Sequence, residues 1–216
     1  MMRTLYAGLV SASLALFAVP ANAHDMNVVA SFSILGDMVE QVVGDHATVT
    51  TIVGPDADAH VYQPSVADAK AVAEADVIFV NGLGFETWSE TLIAESGTDG
   101  TVYVATPGIT PVEVDGETDP HAWNSLTNGM VYVRNITAAM SEAMPDHAAD
   151  FEANAATYIA QLEALDAETR EKLAALPDDR RTVVTAHDAF GYLLSPALQI
   201  IAVPASAPRS LPVQPT

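Results

Sequence analysis

The sequence has no cysteine among its 216 residues, few basic residues and no long apolar run beyond its N-terminal segment. Without cysteine the chain can form neither disulfides nor thiolate metal sites, and it offers no thiol for a lipid anchor, so any metal site must use His, Asp or Glu. Only 8 residues are Lys or Arg against 28 Asp and Glu, a formal charge of −20. A chain this acidic is therefore not expected to bind nucleic acid or anionic lipid surfaces. No later stretch of about 18 apolar residues predicts a membrane span.

The first 23 residues resemble a secretory signal peptide. Arg3 supplies a positive charge, residues 5–20 are apolar, and Ala21-Asn22-Ala23 is a small-residue cleavage site. We predict cleavage after Ala23 and a mature chain that begins at His24. In a bacterium with two membranes, this places the mature protein in the periplasm.

From residue 27 onward, β-like and helix-like segments alternate. The strand-like segments are apolar and rich in β-branched residues: 27–33, 48–53, 76–81 and 101–105. The helix-like segments are 34–43, 66–75, 86–95 and 124–144. Ser65 is the expected N-cap of the second helix, whose apolar stripe is Val66, Ala69, Val72 and Ala73. Near-continuous apolar strands joined by helices predict an α/β fold with a parallel sheet covered on both faces.

A longer helix is predicted within 145–177. Its apolar residues recur at spacings of four and three: Phe151, Ala155, Tyr158, Leu162 and Leu165, continuing toward Leu173 and Leu176. About 28 helical residues would span roughly 40 Å, enough to connect two lobes. A coiled coil is disfavoured because the stripe covers barely four heptads and lacks complementary flanking charges.

The pattern changes toward the C-terminus. A fifth strand is predicted at 181–186, and residues 195–216 then contain five prolines and no acidic residue. Such a composition is not expected to continue an α/β core.

Three histidines follow strand-like segments or precede helix-like ones: His60, His121 and His187. Neutral imidazoles are common ligands of Zn²⁺, and three of them with a carboxylate or water complete a tetrahedral site. Separations of 61 and 66 residues exceed any finger-type spacing, so the spacing alone leaves open whether the three share one site. The remaining histidines are expected to lie at the surface: His24, His46 and His147.

Four motifs together resemble the zinc/manganese-type periplasmic solute-binding proteins of ABC importers, the metal-binding cluster A-I family. They are Asp58-Ala59-His60-Val61-Tyr62-Gln63-Pro64-Ser65, Asn81-Gly82-Leu83-Gly84-Phe85-Glu86, Asp119-Pro120-His121-Ala122-Trp123 and Thr185-Ala186-His187-Asp188-Ala189-Phe190-Gly191-Tyr192. The resemblance implies two α/β lobes joined by one rigid helix, with a metal ion held between them. It also implies a monomer that delivers its metal to an inner-membrane permease.

By this resemblance, His60 and His121 are metal ligands from the N-terminal lobe and His187 is the first ligand from the C-terminal lobe. Histidine at the third position is similar to zinc-binding members, whereas glutamate there goes with manganese. Imidazole donors favour Zn²⁺ over Mn²⁺, which agrees with zinc as the transported ion. Mn²⁺ stays the alternative, because residues 112–119 are acidic where many zinc-binding members have a His-rich loop.

The second lobe is expected to be incomplete, and the family's fourth ligand, an aspartate in that lobe, has no counterpart here. The predicted divisions are a signal peptide over 1–23, an N-terminal metal-binding lobe over 24–144 and a linking helix over 145–177. The first strand and turn of a second lobe follow over 178–194, and an atypical Pro-rich tail over 195–216. Reading the codons of residues 203–216 two nucleotides later permits Gly-Ile-Ser-Thr-Glu and Ser-Ala-Ala-Asp, which is similar to the family's continuation. We therefore expect a frameshift near Ala202.

Three alternatives remain at this stage. They are a natural short variant with a disordered tail, a truncated product without function, and an enzyme of the three-histidine zinc hydrolase type. Hydrolysis needs a general base near the metal, and Asp188 and Glu86 are the only candidates next to the motifs. No nucleophile motif of the G-x-S-x-G kind is present, so we predict a binding protein and not an enzyme.

Overall fold

A computed structural model describes residues 26–114, 116–193 and 198–202. The predicted signal peptide, His24 and most of the predicted Pro-rich tail lie outside the described residues. Within the described part, no helix is both long and apolar enough to cross a membrane.

Four parallel strands form the central sheet, in the order β2-β1-β3-β4. Their bounds are β1 Met26–Phe32, β2 Ala47–Val53, β3 Val77–Val80 and β4 Thr101–Val104. Five consecutive residues of β1 are buried, because the strand lies between two neighbours and is covered on both faces. The predicted α/β fold with a parallel sheet is confirmed, with each strand within two residues of its expected bounds.

Five α-helices surround this sheet: α1 Ser33–Val43, α2 Val66–Ala73, α3 Thr87–Ser96, α4 Leu126–Ala143 and α5 Ala148–Ala174. Helices α1, α4 and α5 pack together, and α2 packs on α3. Tyr132 and Ile136 of α4 and Phe151 of α5 are completely buried in the core. The other face of the sheet meets α2 and α3, since Val29 and Ile78 line one small cavity with residues from both helices.

Two predicted apolar stripes are buried only in part. Ser65 caps α2 as expected, through a capping box, but Val66 is 88% exposed and Val72 alone is fully buried in this short helix. Helix α5 buries Phe151 and Leu162, whereas Leu165 is 48% exposed. The second half of α5 extends past the core, where the i,i+4 ion pairs Asp166–Arg170 and Glu168–Lys172 support it.

Two small sheets lie outside the central one. A hairpin that sequence reasoning did not predict joins β5 Glu113–Val114 to β6 Glu117–Thr118, immediately before the His121 loop. The predicted fifth strand is β7 Thr182–Thr185, and it pairs in parallel with β8 Gln199–Ala202. The expectation that residues after 195 do not continue an α/β pattern is therefore wrong at β8, where the β-branched residues Ile200 and Ile201 favour a strand.

Candidate metal centre

The side chains of His60, His121 and His187 converge at one point. His60 lies in the loop after β2, His121 precedes the 3-10 turn Ala122–Asn124, and His187 follows β7. The Nε2 atom of His121 lies 2.9 Å from Nε2 of His60 and 3.2 Å from Nε2 of His187. One ligand atom from each of the three lies within 4.8 Å of the others. The structure thus brings together all three histidines that the sequence singled out.

The His60 loop is held from both sides. The Asp58 carboxylate accepts a hydrogen bond from the backbone N–H of His60 at 2.9 Å. On the other side, the Trp88 indole N–H donates to the carbonyl of Ala59 at 2.7 Å. The edge of Phe85 meets the His60 ring with centroids 4.8 Å apart. These contacts hold the backbone on either side of His60 and one side of its imidazole ring.

His121 is the most buried of the three ligands, and a carboxylate orients its ring. Oδ1 of Asp119 accepts from the His121 backbone N–H at 2.9 Å and from Nδ1 at 2.7 Å. Nδ1 must carry the proton in this bond, so Nε2 presents its lone pair to the other two histidines. Carboxylates orient metal-bound imidazoles in this way and raise their basicity.

Four hydrogen bonds hold the segment that carries His187 against the His121 loop and its neighbours. Nδ2 of Asn124 donates to the carbonyl of Ala189 at 2.6 Å. The Tyr192 hydroxyl donates to the carbonyl of Asp119 at 3.0 Å and accepts from the backbone N–H of Val112 at 3.0 Å. Nε2 of His187 completes the set through its contact with His121.

The close approach of this segment requires glycine at position 191. A Cβ added to Gly191 would lie 2.4 Å from Oδ2 of Asp119, far inside van der Waals contact. Asp119 is buried, and Oδ2 has no hydrogen-bond partner among the described residues. The packing around this carboxylate is therefore tight on the side of Gly191.

A buried polar network supports the His121 loop from beneath. The Asn81 amide donates to the carbonyl of Pro120 at 2.9 Å, and its oxygen accepts from the Tyr132 hydroxyl at 2.5 Å. Oε1 of Glu86 accepts from the Asn81 backbone N–H at 2.5 Å and from the Ser31 hydroxyl at 2.7 Å. Burial raises the pKa of Glu86 despite these hydrogen bonds. Glu86 is thus engaged in the support of the loop, and Asp188, the other candidate base, is exposed.

The surroundings lower the pKa of two of the three histidines, His60 and His121. Burial lowers the pKa of His60, the nearby His121 and His187 lower it further, and Asp58 opposes them. Burial also lowers the pKa of His121, against the hydrogen bond and charge of Asp119, which raise it. A neutral imidazole is the form that binds a metal ion, so the site resists protonation of its own ligands.

The spacing of the three nitrogens fits a tetrahedral metal ion. With nitrogen–zinc bonds of about 2.0–2.1 Å, two ligands of a tetrahedral site lie about 3.3 Å apart. The observed Nε2 separations of 2.9 and 3.2 Å come close to this value. Three imidazoles leave the fourth position of such an ion open for water or another donor.

Sequence reasoning missed the orienting role of Asp119 and a second group of ligating side chains. The first had a visible signal, because Asp58 and Asp119 each stand two residues before a ligand histidine. The second group comprises His46, His147 and Asp150, whose ligand atoms lie within 4.8 Å of one another. His46 and His147 are partly exposed, as expected, and the structure adds that their ring nitrogens lie close together. Their signal is the Asp-His pair that follows a predicted helix end at both places.

Comparison with known proteins identifies the family of this chain. Residues 28–206 match the family described as ZnuA, zinc-uptake complex component A, periplasmic. The chain is 39% identical over 176 residues to the iron-binding protein YfeA of Yersinia pestis, covering 79% of this chain. It is 38% identical over 169 residues to the manganese-binding lipoprotein MntA of Halalkalibacterium halodurans, covering 77% of this chain. It covers 56% of the length of each relative.

A solved structure agrees with both the fold and the family. The Mn-bound periplasmic metal binding protein of candidatus Liberibacter asiaticus superimposes with a TM-score of 0.77 and 31% identity, over 84% of this chain and 70% of that one. These relatives are named for different metals, iron and manganese, so the family match does not single out one ion. The resemblance carried by the four histidine-containing and glycine-containing motifs is confirmed. The chain belongs to the ZnuA family of periplasmic metal-binding proteins of ABC transporters.

Proposed function

We propose that this protein captures a divalent metal ion, preferentially Zn²⁺, through His60, His121 and His187 and delivers it to the permease of an ABC importer. The convergence of the three Nε2 atoms, with the lone pair of His121 set by Asp119, is the observation that supports this proposal most. The metal is cargo, and the residues bind it without chemical change.

Zinc is favoured by the donor set. Three imidazole nitrogens suit Zn²⁺ better than Mn²⁺, which prefers oxygen donors. The description of the matching family names zinc. Manganese is the competing cargo, because one relative is named for manganese and one solved structure is Mn-bound. Competition between the two ions at equal concentration therefore tests the preference directly.

We also propose the division of the chain into lobes. Residues 24–144 form the N-terminal metal-binding lobe, 145–177 the linking helix, and the segment from 178 the start of a second lobe. The parallel pair of β7 and β8 supports the last part, since it carries His187 at the end of β7 and extends the second lobe to at least Ala202. Export to the periplasm by the N-terminal signal peptide completes the proposal.

Calorimetric titration of the mature chain with Zn²⁺ tests the capture step. We expect His60→Ala to weaken binding at this site by at least about 100-fold, because loss of a ligand costs no less than loss of the groups that orient one. Val61→Ala is the matched control, since Val61 is the next residue and is 72% exposed. Equal affinity in His60→Ala and Val61→Ala would remove His60 from the site.

The same titration with Mn²⁺ tests the choice of ion. We expect Zn²⁺ to displace Mn²⁺ from the wild-type protein, whereas displacement of Zn²⁺ by equimolar Mn²⁺ would assign manganese as cargo. Exchange of the third ligand, His187→Glu, should narrow the difference between the two ions because it replaces a nitrogen donor by oxygen.

A further inference from the structure

A second cluster of metal-ligating side chains lies at the opposite end of the first lobe. His46 ends the 3-10 turn Gly44–His46 after α1, and His147 ends the turn Pro145–His147 before α5. Asp150 lies in the first turn of α5. Helix α1 begins at the metal-centre edge of the sheet and ends beside this cluster. Its 11 residues correspond to about 16 Å, so the two groups of histidines cannot share one ion.

The donor atoms of this cluster face one another. Nε2 of His46 lies 3.1 Å from Oδ2 of Asp150, and Nδ1 of His147 lies 4.0 Å from the same oxygen. These distances lie on either side of the spacing of about 3.3 Å between ligands of a tetrahedral zinc ion. Two imidazoles and one carboxylate are a common zinc-binding set that leaves a fourth position for water.

The surroundings hold the two rings in place. The rings of His46 and His147 pack with centroids 4.2 Å apart, and the buried ring of Phe151 contacts both. Nδ2 of Asn154 donates to the carbonyl of Val42 at 3.1 Å, which joins α5 to the end of α1. The packing of both rings on Phe151 and the hydrogen bond between α5 and α1 therefore hold the cluster together, while its side chains remain partly accessible to solvent.

We propose that His46, His147 and Asp150 form a second divalent-metal site that binds Zn²⁺ in preference to Mn²⁺. A bound ion would connect the end of α1 to the start of α5, two elements about 100 residues apart in the chain. Because two of its three donors are imidazoles, this second site should prefer zinc whichever ion the first site binds.

The test removes the first site and asks whether zinc binding remains. In the mature His60→Ala/His121→Ala protein, calorimetry with Zn²⁺ alone is expected to show one residual equivalent per chain. Adding His46→Gln or Asp150→Asn should abolish it. Asp146→Asn is the matched control, because it removes the same charge from the neighbouring turn without removing a ligand. At a Zn²⁺ concentration of 100 Kd, the residual site should raise the Tm by about 5–10 °C.

The outcomes separate this site from the proposed function. Absence of a residual equivalent, or its persistence in both His46→Gln and Asp150→Asn, would overturn the proposal. If Asp146→Asn weakens the residual zinc binding as much as Asp150→Asn does, the binding reflects general charge attraction, and the proposal is overturned as well. Circular dichroism of the metal-free variants verifies folding, and His147→Gln provides a second ligand variant if His46→Gln does not fold. A zinc equivalent lost only with the second-cluster variants supports this site even if His60 proves irrelevant to capture.

Discussion

Replacing Asp119 by Asn measures how much the carboxylate behind His121 contributes to metal affinity. Asparagine retains an oxygen that can accept from Nδ1 of His121, so the ring keeps its orientation while the negative charge is lost. Carboxylates behind a ligand histidine contribute roughly 10–100-fold to metal affinity, which corresponds to about 1.4–2.7 kcal/mol. We expect Asp119→Asn to weaken Zn²⁺ binding at pH 8 within this range.

The pH dependence distinguishes charge from mere structure. Burial lowers the pKa of His121 and Asp119 opposes that shift, so removal of the carboxylate should lower the pKa of His121 further. Protons then compete with the metal only at a lower pH. Zinc affinity of Asp119→Asn should therefore begin to fall at a more acidic pH than in the wild type, although it starts from a weaker value.

Competition with a chromophoric chelator between pH 5 and pH 8 measures both effects. The matched control is Asp58→Asn, because Asp58 also stands two residues before a ligand and accepts its backbone N–H, but is exposed and does not contact the ring nitrogen of His60. We expect less than about a threefold change there, since exposed charges interact weakly. Affinity of Asp119→Asn within twofold of the wild type, or an acid limit that moves upward in pH, would refute the reasoning.

Three further predictions concern stability and the approach of the second lobe. Burial lowers the pKa values of His60 and His121 in the folded protein. The stability that these residues contribute is therefore present above their unfolded pKa and is lost as the pH falls through the folded pKa. In thermal melts of the metal-free chain, the Tm should fall from pH 7 to pH 5, and it should fall less in His60→Ala. Gly191→Ala places a methyl group 2.4 Å from Oδ2 of Asp119, and we expect it to weaken zinc binding at least about tenfold. Gly191→Ser should weaken binding at least as much. Unchanged affinity would show that Asp119 moves aside without any effect on the site. Ser65→Ala removes the cap of α2 and should cost about 1 kcal/mol in urea unfolding, whereas Ser65→Gly should cost only a few tenths; equal losses would argue against a role for the hydroxyl.

The sequence predicted the positions of helices and strands better than it predicted which side chains are buried. Four of the five predicted β-branched runs became strands of the central parallel sheet, and the fifth became β7 of a separate parallel pair. Strands β1 and β3 are largely buried, and buried parallel strands are apolar on both faces, a property visible in single segments. The apolar character of Val66 could not reveal that this residue faces solvent, since burial depends on which helix lies opposite. The same limit applies to Leu165, where the periodicity continues but the core ends.

The candidate site divides in the same way. Loop context and the family motifs identified His60, His121 and His187, and their convergence is a tertiary fact that a separation of more than 60 residues could not establish. Asp119 was visible in the sequence only as a neighbour of His121, because its hydrogen bond to Nδ1 depends on the backbone turn at Pro120. His46 and His147 met for a similar reason, through the packing of α1 on α5.

Asp119 also has a consequence for the thermodynamics of the site. Its carboxylate orients His121, while its backbone carbonyl holds the Tyr192 hydroxyl and with it the segment that carries His187. The placements of His121 and His187, two of the proposed ligands, therefore both depend on this one residue, and we expect their contributions to metal affinity to be coupled. In a double-mutant cycle, Asp119→Ala, which removes the acceptor of Nδ1 of His121, and Tyr192→Phe should together cost less than the sum of their separate losses, since either change already loosens the contact between the His121 loop and the His187 segment.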